Sequence, residues 1–292
     1  LYNLFVSLRE VWMNYSPKLV RLGAAANFFF ALVSLLPPCL TAQFGSAPAL
    51  EPLTSVTGYT CVTGYYRVAN PGACNWDTTS RVTVTTVPAP FGLKDLQSHC
   101  AFATASVHPS LCGVAALHSF GSALYNEFGL LAGASMQVSP VTTVGFAAAY
   151  SRIGIALERP SHALRADIGA SVDLSRTSRV SFVFHNIGQS GINGNSSTAM
   201  SDVAIAYGSE LHTDIYAEIQ YRVALQRARS LQCALRARIA QVLSLRIAAD
   251  VASTLLGIEA AVDVTSSLRV MSTAHLHATL GARMGGGLSW AW

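Results

Sequence analysis

The 292-residue chain is 51% apolar and only 12% charged, about half the ~25% charged share of an average globular domain. Its formal net charge of +4 is scattered along the sequence, which excludes the concentrated basic footprint of a nucleic-acid binder. The mean hydropathy is +0.38, yet beyond the N-terminal region no apolar run reaches the ~18 residues of a spanning helix. High hydropathy without such helices suits a transmembrane β-barrel, whose apolar residues fall at every second position.

The first residues read as a targeting segment. Residues 1–12 precede Met13, the expected start, as an upstream extension. Lys18 and Arg21 supply a positive stretch, Leu22 to Leu36 an apolar one, and Leu40-Thr41-Ala42 the small residues before a cut. Residues 1–42 are therefore expected to be removed. Leu36 and Cys39 trace a lipobox, which Pro38 interrupts. A secreted chain meets an oxidising compartment, where Cys61 with Cys74 and Cys100 with Cys112 are the candidate disulfides. The alternative is that the cysteines are isolated small apolar residues. No cysteine or histidine spacing suggests a zinc site, and no cofactor is expected.

Residues 43–78 do not alternate and are rich in Gly, Pro, Thr and Tyr. They carry "RVANPGACNW", with Asn70-Pro71-Gly72-Ala73 inside it. A segment of this length ahead of a barrel is expected to plug it.

From 79 to 292 the sequence alternates with period two. In "ALRADIGASVDLS" the row Leu164, Ala166, Ile168, Ala170, Val172, Leu174 is apolar, and Arg165, Asp167, Gly169, Ser171, Asp173, Ser175 is polar or glycine. That is a strand with one apolar face. Similar rows give strand centres near 84, 102, 116, 132, 147, 169, 183, 204, 219, 235, 247, 260, 272 and 287. The expected fold is thus an all-β, antiparallel transmembrane barrel of about fourteen strands. A secreted soluble β-protein is the weaker alternative.

The connections are asymmetric. One set reads "APFGLKDL", "SALYNE", "ERPSHA", "GQSGINGNSSTAM", "LQRAR", "STL" and "TLGAR"; the other reads "HPS", "SPV", "SRTS", "LHTD", "QV" and "TSS". Longer outer loops and short periplasmic turns are expected of outer-membrane barrels. Asn195-Ser196-Ser197 matches a glycosylation triplet but reads as polar loop. The chain stops on "MGGGLSWAW", placing Met284, Gly286, Leu288, Trp290 and Trp292 on one face. Leu288, Trp290 and Trp292 resemble the terminal-strand signal read by the barrel-assembly machinery, and aromatics there suit the interfacial girdle.

The polar rows hold Arg165, Asp167, Asp173, Asp214, Glu218, Arg222, Arg236, Arg238, Arg246, Asp250, Glu259, Asp263, Arg269 and Arg283. In a barrel these line the lumen, either as a hydrated mixed-charge pore or as an ion-pair network holding wall and plug together. His275 and His277 share that lining. His185 and Asn186, as strand neighbours, are expected on opposite faces. No GxSxG or HExxH motif is present, so no enzyme is expected.

The Asn-Pro-Gly-Ala stretch followed by about fourteen strands resembles the FadL-type transporters of hydrophobic compounds. "PFGLKDL", "ALYNEFGLLAGASMQVSPVTTVGFAAAYSRIGI" and "DIGASVDLS" are similar to stretches of the PorV/PorQ-like barrels associated with type IX secretion. Gly72 stands where that motif has Ala. The resemblance implies a bacterial outer-membrane barrel set in lipid. It leaves two functions: a conduit for small or hydrophobic solutes, or a non-transporting partner in a secretion system or envelope assembly.

Overall fold

A β-backbone sends successive side chains to opposite faces, so the alternating rows set the wall. The computed structural model describes residues 55–57, 69–76, 79–187, 190–191, 201–224, 229–251, 255–278 and 281–292. The targeting segment with Met13 and the cut after Ala42, Cys61, and the triplet 195–197 lie outside them.

The wall strands in chain order are β1 (Arg81–Pro88), β2 (Gln97–His108), β3 (Leu111–Gly121), β4 (Tyr125–Ser139) and β5 (Thr142–Ile155). Then come β6 (Ser161–Asp173), β7 (Ser178–His185), the two-residue β8 (Ser190–Gly191), β9 (Asp202–His212) and β10 (Ile215–Ala224). The last five are β11 (Arg229–Arg238), β12 (Leu243–Asp250), β13 (Leu255–Asp263), β14 (Leu268–His277) and β15 (Gly281–Ala291). Each pairs antiparallel with its neighbours, and β1 pairs with β15, so the sheet closes on itself. β8 prolongs the line of β7 along β6: Phe184 stands opposite Ile168, and Ser190 opposite Leu164. Counted this way the barrel has fourteen strands.

Between β7 and β8 the backbone departs from the ladder. Asn186 takes a left-handed φ of 61°. Its N–H donates to the Asp167 carboxylate at 2.8 Å, and Ile187 N–H donates to Ala166 O at 2.7 Å. Asn186 is therefore not a strand neighbour of His185 but the first residue of a bulge, since two surplus residues cannot be paired against β6. The connections also differ from expectation. β4 begins at Tyr125, β6 at Ser161 and β15 at Gly281, so parts of "SALYNE", "ERPSHA" and "TLGAR" are wall. Their polar residues do not stop a strand, because the neighbouring strand still offers backbone partners, as Ile155 does to Tyr125.

The outer face is apolar and uncovered. Phe146, Leu164, Ile168, Ile205, Ile219 and Ile258 are all exposed. At the closing seam Leu288, Trp290 and Trp292 point the same way, at 55%, 55% and 64% exposure. Trp292 N–H donates to Ser80 O at 3.1 Å, tying the chain end to the start of β1. No helix among the described residues is long and apolar enough to cross a membrane; the strands do the crossing.

The candidate pair Cys100 and Cys112 does not form. Cys100 stands opposite His118, whereas Cys112 stands opposite Ser106, several residues apart along the same hairpin. Cys112 is disulfide-bonded, but not to Cys100 or Cys233. The remaining cysteines, Cys39, Cys61 and Cys74, all precede the barrel in sequence.

Candidate functional site

The interior of the barrel has two parts: a seat for the residues before β1, and a wall of unequal polarity. Asn70 and Ala73 are fully buried, and Pro71–Trp76 forms a short 3-10 helix. Asn70 works as a local organiser. Its Oδ1 accepts from Gly72 N–H at 2.8 Å, and its Nδ2 donates to Val56 O at 2.9 Å and to Ser171 Oγ at 3.4 Å. Asx side chains mimic a backbone turn in this way. Thr143 Oγ1 donates to Gly72 O, and Ser171 Oγ pairs with Ser181 Oγ at 2.8 Å.

The wall is hollowed to receive this turn. Gly145 on β5 and Gly169 on β6 are a cross-strand pair facing inward, directly beside the pair Thr143 and Ser171. A Cβ on Gly145 would lie 2.4 Å from Pro71 C and O, and one on Gly169 would lie 1.9 Å from Asn70 Oδ1. The constraint is mutual: a Cβ on Gly72 would lie 2.7 Å from Ala170 N. The glycine at 72, where the resembling motif has Ala, thus fits the close approach of two backbones.

A second anchor lies farther round the wall, on β10, three strands from β6. Ser55 Oγ donates to Glu218 Oε2 at 2.6 Å, Thr57 Oγ1 donates to the same oxygen, and Val56 N–H donates to Gln220 Oε1 at 3.2 Å. Arg179 Nη1 donates to Thr57 O at 3.0 Å. Val56 packs against Val183, Ala204 and Ala206. Glu218 therefore faces hydroxyl donors from the N-terminal segment as well as the neighbouring wall.

Asp214, expected in the lumen lining, lies instead in the turn between β9 and β10; the other singled-out charges sit on inward rows, mostly in pairs between adjacent strands. Arg222 grips Asp202 through two hydrogen bonds, at 3.0 and 2.7 Å. Arg246 donates to Glu259 at 3.2 Å. Asp250 accepts from Ser230 and Gln232 at 2.9 and 3.1 Å. Asp167 takes Asn186 N–H and lies 3.4 Å from His185 Nδ1 and 4.0 Å from Arg165 Nε. Arg236 lies over the Tyr216 ring at 5.6 Å. Arg283 and His275 are buried as a cross-strand pair. Arg238 is exposed at the rim, its N–H donating to Asp214 O at 2.8 Å.

Two hairpins at the end of the barrel that holds Ser80 and Trp292 share one device. Asp173 pairs with Arg179 at 3.2 Å, and Asp263 with Arg269 through two bonds, one of 3.0 Å. The spacing D-x5-R in "DLSRTSR" and "DVTSSLR" was the available signal, and Arg179 is absent from the charged rows singled out above. Gly145, Gly169, Thr143, Ser171 and Gln220 were equally invisible, because small or neutral residues in an alternating row carry no mark of what they face.

The interior is not uniformly charged. On β2–β5 the inward rows present Cys100, Phe102, Val114, Leu131, Ala147 and Ala149, all buried, with Val114, Leu131, Ala147 and Ala149 in one cluster. Among the described residues no Lys, Arg or Asp points inward from these four strands, and the inward acid Glu127 sits at the start of β4, accepting from Tyr125 Oη. The charged pairs occupy β6 to β15. The lumen wall thus has an apolar sector and a charged one.

No protein-family model matches the chain, and no curated protein does. Solved structures resemble it strongly in fold and hardly in sequence. The Pseudomonas putida toluene transporter TodX aligns over 80% of this chain and 95% of its own, at 9% identity and a TM-score of 0.58. The Ralstonia pickettii toluene transporter TbuX aligns over 78% and 92%, at 7% identity and 0.52. A Pseudomonas aeruginosa FadL homologue aligns over 82% and 97%, at 9% and 0.50. With its closed wall and apolar exterior, the chain has the fold of the FadL-like barrels of the bacterial outer membrane.

Proposed function

We propose that the barrel is a conduit for small hydrophobic solutes, and that residues 43–78 form its hatch, seated by the Asn70-Pro71-Gly72-Ala73 turn. The observation that carries this reading is the apolar sector inside β2–β5, lined by Phe102, Val114 and Leu131. The Pro71–Trp76 turn packs against β3, β4 and β5, so displacing the hatch would open this apolar surface to a solute. An uncharged solute gains by leaving water for such a surface, at about 25 cal/mol per Å² of apolar area, whereas the charged sector offers it nothing. The neighbours named as toluene transporters support the same class of solute. The wall glycines and Glu218 would hold the hatch in the lumen, so that passage depends on its displacement.

The test is entry of labelled toluene into cells that express the full chain and lack other hydrocarbon barrels. Entry should rise several-fold over cells without the protein, and Phe102→Asp should abolish the rise by placing a charge in the apolar sector. Entry of a neutral sugar should not rise. No toluene entry, or equal entry of the sugar, would sink the reading. The former would return the barrel to a partner role in a secretion or envelope assembly.

A further inference from the structure

The lipid-facing rows are almost free of charge, and the exceptions share a sign and a position. Away from the turns, among the described residues, the side chains on these rows able to carry charge are His99, Arg152, His162 and, as the first residue of β11, Arg229. All are basic, and all lie toward the end of the barrel with the longer connections, opposite Ser80 and Trp292. Arg152 and His162 are directly opposed across β5 and β6.

Their surroundings form one surface. Phe128 on β4 stands beside Arg152, and in the row beyond, the Asn126 amide lies over Gly154, within 2.8 Å of where a Cβ would stand. In the row beneath lie Leu130, Tyr150 and Leu164. Tyr150 Oη and His162 Nδ1 are 2.6 Å apart, and the two rings stack at 5.9 Å and 27°. When the phenol donates to Nδ1, Nε2 is left as the ring's N–H donor. Arg152 is exposed and makes no ion pair among the described residues. The adjoining turn adds exposed Glu158 and Arg159.

The height fits a headgroup. Arg152 is ten residues along β5 from Thr142. At ~3.3 Å per residue and a tilt near 40° that is about 25 Å, the height of the apolar band of such barrels. The donors therefore stand at the outer headgroup level, above the apolar face of Leu130, Phe146, Leu164 and Ile168.

We propose that Asn126, Arg152, His162 and Tyr150 form a site for the phosphate of an outer-leaflet glycolipid, whose acyl chains lie down the apolar face of β4–β6. A guanidinium fork matches phosphate oxygens bidentately, and basic clusters flanking the bilayer core select anionic lipid headgroups. The lipid would fix the barrel's depth on this side and is separate from any solute in the lumen.

The test is native mass spectrometry of the refolded barrel in detergent with bisphosphorylated lipid A, its dephosphorylated form, phosphatidylglycerol and inorganic phosphate. One bisphosphorylated lipid should be retained per barrel. Arg152→Glu should cut retention about tenfold, while Arg229→Glu, the same charge change on a distant strand, should leave it in place. The inference is overturned by undiminished retention in Arg152→Glu, by equal loss in Arg229→Glu, or by equal retention of the dephosphorylated lipid. Displacement by phosphatidylglycerol or inorganic phosphate at equal concentration would overturn it too. Should Arg152→Glu not refold, the pair Arg152→Gln and His162→Ala makes the same comparison.

Discussion

Substituting Gly169 by Ala tests whether the wall is shaped for the hatch. The new Cβ would stand 1.9 Å from Asn70 Oδ1, against the 3.4 Å at which ordinary contact begins, so the carboxamide must retreat by about 1.5 Å. That movement breaks its bonds to Gly72, Val56 and Ser171. At about 1 kcal/mol net for each, docking weakens by ~3 kcal/mol, roughly a 100-fold change in the docked-to-undocked ratio. The barrel itself should survive, since Gly169 keeps its backbone ladder to Gly145 and Val183. The assay is limited trypsin cleavage after Arg67, with heat-modifiable gel migration as the check on folding. Gly113→Ala is the control, because its Cβ would meet nothing nearer than Ala105 O at 4.0 Å. Asn70→Ala should expose the hatch to a similar degree, and adding Gly169→Ala to it should cost little more, since both remove the same three Asn70 bonds. If Gly169→Ala is cleaved at the wild-type rate, or if the two effects add in full, the seat is not what holds the hatch.

Other outcomes follow from the same geometry. Replacing Glu218 by Leu removes the acceptor for Ser55 and Thr57 and should speed hatch cleavage, whereas Glu218→Gln keeps an acceptor oxygen and should sit close to wild type. The two D-x5-R clamps should differ despite their like sequence. Asp263→Asn breaks a partly exposed pair and should cost at most about 1 kcal/mol in urea unfolding, while Asp173→Ala takes the carboxylate from the buried Arg179, leaving it Thr57 O, and should cost ~3 kcal/mol. Ile168→Arg places a cation on the lipid-facing row near mid-height; unfolding from lipid vesicles should show a loss of about 2–4 kcal/mol, and an unchanged value would contradict the lipid contact. Deleting Trp292 should lower the amount of barrel inserted in cells while leaving refolding into detergent intact, as measured by heat-modifiable migration of each sample.

The alternation of single residues determined most of the architecture. Each strand centre read from the rows falls within a strand of the wall, and the facing of Arg165, Asp167, Asp173 and Ile168 was settled by parity, because a β-backbone has no other period. The outward facing of Trp290 and Trp292 was likewise legible, since they share their row with Leu288. What parity cannot supply is the partner across the barrel. Glu218 and Ser55 are separated by 163 positions, and nothing in either stretch announces the other. The cradle of Gly145 and Gly169 exists only because β5 and β6 align in one register, which brings two unremarkable glycines opposite each other and against Asn70. The same holds for the apolar sector: Phe102, Val114 and Leu131 read as ordinary members of alternating strands until closure turns their face inward. The bulge at Asn186 arises because β7 and β8 must share one edge of β6 with two residues to spare. Local chemistry thus chose strands and faces, and closure of the sheet decided which faces meet.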